Sequence, residues 1–237
     1  MTSARIVLTA QDGVILRGSR AGAEDDWVVL IHDFGKDVRV WRAAHRFLQR
    51  RKFTRLAVNL RGHGSSEGQW DARLAARDVE AALNYARGQE ARTVFVLAEG
   101  QGATAALAAA DCQPPDGLVL LSPGPLLGRD AKELRGNGVS KLFIVGSRQQ
   151  AAHEATMALR RWSIGWAATV YLPTEEQGAA LLSGAYRSQA LDQIAGFLHE
   201  QRHLAGNEVD GGATGGPTLS RQRRALQAQM LKRLLRR

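Results

Sequence analysis

The sequence predicts an α/β protein, a three-layer α/β/α sandwich built on an eight-stranded, mostly parallel sheet. Two observations carry that expectation. Short β-branched, apolar runs alternate with longer segments of helical period along most of the chain, which is the pattern of strands joined by crossover helices. The 237 residues are 44% apolar and 23% charged, an ordinary mixture for a single domain with a substantial core.

Taken in order, the first two runs fall at residues 4–10 and 14–18. Only the turn-prone Gln11-Asp12-Gly13 separates them, so they are expected to pair as an antiparallel hairpin. Further strands are expected at 27–32, 55–60, 93–98, 117–122, 141–146 and 167–172. Helical periods follow in VRVWRAAHRFLQRR, AARDVEAALNYARG, GATAALAAADC, the short DAKELRG, AHEATMALRRW and YRSQALDQIAGFLHEQRHL. Parallel neighbours need crossovers of this kind. Between the sixth and seventh strands lies only PGPLLGRDAKELRGNGVS, so little or no cap and a shallow pocket are expected.

Composition removes several classes. One cysteine, Cys112, can neither close an internal disulfide nor build a thiolate metal site. No 18-residue apolar run and no N-terminal apolar leader is present, so a cytoplasmic location is expected. The net charge of +9 belongs to one end. Residues 211–237 hold Arg221, Arg223, Arg224, Lys232, Arg233, Arg236 and Arg237 and no acid, which leaves +2 on residues 1–210. The division expected is a domain at 1–204, a Gly-rich linker at 205–217 and a basic amphipathic helix at 218–237. In that helix Leu219, Leu226, Met230 and Leu234 share one face. Such a helix suits a protein partner or an anionic membrane surface, which would place the chain beside a membrane or a larger complex. It has no aromatic residue to stack on bases, which argues against nucleic acid.

Three motifs end expected strands: IHDFG (31–35), NLRGHGSSEG (59–68) and LAEGQGATAAL (97–107). In this order and spacing, residues 1–204 resemble the α/β-hydrolase family, with its oxyanion loop, its Arg-Gly-His-Gly loop and its nucleophile elbow. RGHGSS is the most specific piece. The resemblance implies a nucleophile, an acid and a base in that chain order. Aligning the elbow on Ala98-Glu99-Gly100-Gln101-Gly102 puts Gly100 at the nucleophile. Gly146-Ser147-Arg148-Gln149 puts Gln149 at the acid, and Gln177-Gly178 puts Gln177 at the base. His32, Phe34, Gly35 and Gln101 fall in the oxyanion region.

The expectation is therefore a family member that is not an enzyme, with no catalytic residue and no cofactor, which binds through its body surface and its tail. Two alternatives stand beside it. One is a serine-type esterase with relocated residues, drawn from Ser65, Ser66 and Ser122 with His32 and His63 nearby. The other is a nucleotide-binding protein, since residues 100–105 match G-x-G-x-x-A, although Glu99 would face the phosphate and no acid ends LVLLSPG to hold a ribose. His45, His153, His199 and His203 fall on helices, where a solvated or packed histidine is expected. Glu175 and Glu176 read as a solvated acidic pair. His32, Asp33 and His63 are too scattered for a metal site.

Overall fold

A computed structural model describes residues 3–127 and 130–210. The strands are β1 (Ala4–Thr9), β2 (Ile15–Ala21), β3 (Asp26–Ile31), β4 (Thr54–Val58), β5 (Thr93–Glu99), β6 (Gly117–Pro123), β7 (Lys141–Gly146) and β8 (Ala167–Leu172). The helices are α1 (Arg42–Arg50), α2 (Ala75–Gly88), α3 (Gly100–Ala109), α4 (Gln150–Trp162) and α5 (Arg187–Asp210). One sheet holds the strands in the order β1-β2-β4-β3-β5-β6-β7-β8. β2 runs antiparallel to both β1 and β4, and the other pairings are parallel. The expected hairpin thus forms one edge.

Both sheet faces are covered. Trp27, Val29 and Ile31 of β3 join a core layer with α2, α3 and Leu159 of α4, while Val28 and Leu30 join the opposite layer with α1 and α5. Strands buried on two sides need apolar residues at every position rather than at alternate ones. That is why VFVLA and LVLL show no period of two.

Some local expectations change. DAKELRG supplies only a 3-10 turn at Ala131–Glu133, because Gly136, Asn137 and Gly138 all adopt positive φ and cannot continue a helix. Between β6 and β7 that turn is the whole of the regular structure among the described residues. An unforeseen 3-10 turn lies at Gly178–Leu182. α5 runs on to Asp210, into the segment expected as linker. The rest of that linker and the basic tail fall outside the described residues. Among the described residues no helix is long and apolar enough to cross a membrane.

Candidate functional site

At the carboxyl edge of the sheet, β5 ends on Glu99 and α3 begins at once with Gly100, whose φ is +54°. Conformation alone favours glycine in such a turn. Space demands it: a Cβ on Gly100 would lie 2.0 Å from Cγ of Asp33 and 2.1 and 2.3 Å from its two carboxylate oxygens. The Asp33 side chain, arriving from the loop after β3, therefore fills the volume that an elbow side chain would need.

Its surroundings suit an anion. Oδ1 of Asp33 accepts the backbone N–H of Phe34 at 2.8 Å and that of Gln101 at 2.7 Å. One donor follows the elbow position and the other lies in the loop after β3, which are the two places from which this architecture draws an oxyanion hole. The same carboxylate occupies the N-terminus of α3, where the nucleotide reading needs a phosphate. Gly102, the second glycine of that fingerprint, is spoken for by packing, since a Cβ there would lie 2.2 Å from the carbonyl oxygen of His32.

Glu99 lies beneath, fully buried. Its Oε2 accepts from Lys36 Nζ at 2.9 Å and from the Ala179 N–H at 2.7 Å, and its Oε1 faces the Asp33 N–H at 3.4 Å. Gly178 makes room for it, because a Cβ on Gly178 would sit 1.9 Å from Oε2. A buried carboxylate held by an ammonium and backbone donors keeps its charge compensated.

The other positions implied by the family resemblance lie along the same edge. Gln177 donates from Nε2 to Oε1 of Gln149, which in turn donates to the Glu175 carbonyl at 2.7 Å. The loops after β7 and β8 thus meet side chain to side chain, as an acid and a base would. Gly178 then ties the second loop inward by donating to Ser122 Oγ at 3.1 Å. Ser122 is buried and holds φ at +42°.

Neither histidine of the region is free to serve as a base. Nε2 of His32 accepts the Leu60 N–H at 3.0 Å, so its Nδ1–H donates to the Asp33 carbonyl at 2.7 Å. Burial pushes His32 down to about 4 and keeps it neutral. Nε2 of His63 accepts the Gly35 N–H at 2.9 Å, which leaves its Nδ1–H to donate to the Arg61 carbonyl at 2.8 Å. Ser66 is bound to the backbone of Arg17 and Asn59, and Ser65 is exposed. Among the described residues no serine is hydrogen-bonded to a histidine, and no group of three or more His, Cys, Asp or Glu side chains is placed to hold a metal. The residue of this site that sequence reasoning missed is Asp33, which fills the elbow position. Its signal was an acid at the third position of IHDFG, directly after the histidine, where the family's His-Gly-x-Gly loop has glycine, in a chain that has also lost the side chain at 100.

The model of the alpha/beta hydrolase family matches residues 28–233. No curated protein matches the sequence. Among solved structures, an esterase from Pyrococcus furiosus superposes with a TM-score of 0.70 at 14% identity, covering 84% of this chain and 92% of its own. A serine hydrolase without lid from Xanthomonas campestris gives 0.65 at 20% identity, covering 85% and 94%. An esterase from Exiguobacterium antarcticum gives 0.67 at 14%, covering 81% and 98%. At such identities these likenesses establish the fold.

One expectation is corrected here. The chain was expected not to be an enzyme because three side chains are missing, yet the family match and the hydrolases that share the fold point to a hydrolase. The inference ran from three missing side chains straight to inactivity, and the space at position 100 is not empty: Asp33 fills it. Sheet order, elbow and oxyanion donors all agree with a match that spans most of the sequence, and the chain belongs to the alpha/beta hydrolase family.

Proposed function

We propose that this chain is a hydrolase acting on ester-class substrates, with the Asp33 carboxylate in place of an elbow serine. One observation carries the reading: Asp33 occupies the volume of a side chain at 100, with Oδ1 fixed by two backbone N–H groups at 2.7 and 2.8 Å. Charge-assisted bonds of this kind hold a carboxylate in a fixed orientation. No hydrogen bond among the described residues reaches Oδ2, which leaves that oxygen to accept a proton. The names of the fold's esterase neighbours support the same class of reaction.

The chemistry balances with Asp33 as general base. A water molecule gives a proton to Oδ2 while its oxygen bonds to the acyl carbon, and the carbonyl π electrons move onto the carbonyl oxygen. Collapse of that tetrahedral intermediate reforms C=O and breaks the bond to the alkoxy oxygen. The departing oxygen takes the proton back from Asp33, giving an acid and an alcohol and restoring the carboxylate.

The test is hydrolysis of short-chain 4-nitrophenyl esters by the purified full chain. Asp33→Asn retains the shape and the acceptor for both N–H groups but not the base, and should lower kcat by about 10²- to 10⁴-fold. Ser122→Ala should retain activity. Loss with Ser122→Ala but not with Asp33→Asn would establish a relocated serine instead, and no turnover by the unaltered chain would end the esterase reading.

A further inference from the structure

Accepting Asp33 as the base creates a difficulty that the site itself resolves. The backbone donors of Phe34 and Gln101 are both spent on Asp33 Oδ1. An ester entering this site cannot use those two donors for the negative charge that develops on its carbonyl oxygen, although stabilising that charge is usually the largest contribution to acyl transfer. A side chain can supply the replacement. Lys36 is placed for it, one residue beyond the glycine of the same loop, with its side chain 37% exposed.

We propose that Lys36 Nζ is the oxyanion donor of this hydrolase and that Glu99 is the residue that positions it. The inference rests on the Asp33 reading. An ammonium carries three N–H donors. Glu99 engages one of them at 2.9 Å, leaving two directions for substrate. Because Glu99 is fully buried and is itself fixed by the Ala179 N–H at 2.7 Å, it holds the flexible lysine stem at a set place on the sheet edge. Glu99 reaches toward the Asp33 N–H with its other oxygen, 3.4 Å away, so base and lysine are referenced to one carboxylate. In the step itself no proton moves to Lys36. The π electrons of the attacked carbonyl settle on oxygen, an N–H of Lys36 donates to that oxygen, and the bond loosens as C=O reforms.

Two measurements on the full chain decide it. In ester hydrolysis, Lys36→Met should lower kcat by about 10²- to 10³-fold with little change in KM, as removal of an oxyanion donor does. Lys36→Arg should restore most of the loss. Glu99→Gln should lower kcat by clearly more in the native background than in the Lys36→Met background, whereas a purely structural glutamate would weaken both alike. In calorimetric binding, butyl methylphosphonate, whose tetrahedral P–O⁻ imitates the intermediate, should bind the native chain and Asp33→Asn. It should bind Lys36→Met at least tenfold more weakly. Equal binding by Lys36→Met, or no binding by the native chain, overturns the proposal even where turnover is too slow to follow. Activity that survives Asp33→Asn yet falls with Lys36→Met would retire the base and keep the lysine. Activity that falls with Asp33→Asn yet survives Lys36→Met would do the opposite.

Discussion

Positions 33 and 100 behave as one unit of volume. The glycine expected in the oxyanion loop has become an acid, and the side chain expected at the elbow has become a glycine. Gly100→Ser alone should therefore unfold at lower urea, since it meets both the Asp33 carboxylate and a positive φ that costs a non-glycine residue about 1 to 3 kcal/mol. Adding Asp33→Gly should recover part of the loss, and a coupling of about 0.5 to 3 kcal/mol between the two is the expected result of the double-mutant cycle. His32 gives a pH signature. Its value in the folded chain is about 4, against 6.5 for the free side chain, so the unfolded state binds the extra proton between those values. Stability should rise with pH through that window and decline as pH falls through it, by about 3 kcal/mol at most from this residue. Urea unfolding of the native chain and His32→Gln at pH 4.5 and 7 should show the slope largely lost in the variant. None of the 33–100 pairing could be read from either motif alone, because the two residues meet only across neighbouring strands.

At the level of elements, the motif most diagnostic in sequence is the most structural in the fold. Arg61 donates through Nε and a terminal nitrogen to Asp78 Oδ1 at 3.0 and 2.7 Å, its backbone N–H meets Asp78 Oδ2 at 2.8 Å, and its other arm reaches Asp12 at 2.8 Å. The loop after β4, the first turn of α2 and the hairpin turn are fastened by one guanidinium. Asp78 has no exposure at all, so Asp78→Ala would leave the buried Arg61 with Asp12 as its one remaining carboxylate and should cost about 3 kcal/mol in chemical denaturation. Arg-Gly-His-Gly was legible as a family signature, and its glycines take the positive φ values of a tight loop. The strands were legible for a simpler reason. Runs such as Trp27–Ile31 are buried on both faces and must be apolar throughout, so each run announces its own place. DAKELRG misled because helical composition says nothing about the Gly136-Asn137-Gly138 run that begins at its last residue and turns the backbone away.

For the whole molecule, charge is divided as the sequence divides it, with seven cations and no acid in residues 211–237. We propose that this segment attaches the domain to an anionic membrane surface, each cation near the lipid contributing about 1 kcal/mol. Sedimentation with phosphatidylserine vesicles should recover the full chain at low salt and much less at about 0.5 M salt, where the Debye length has shrunk to about 4 Å, while a chain ending at Asp210 should stay in solution under both conditions. Equal recovery of the two chains would discard the attachment. The carboxylate lodged at the elbow has one more consequence, for how such a protein is found. Fluorophosphonate reagents sort a proteome by phosphonylating the elbow hydroxyl, and here the elbow carries Gly100 with Asp33 pressed against it. With Asp33 as the base, a census of hydrolases taken with those reagents would pass over this chain, and only turnover itself would count it.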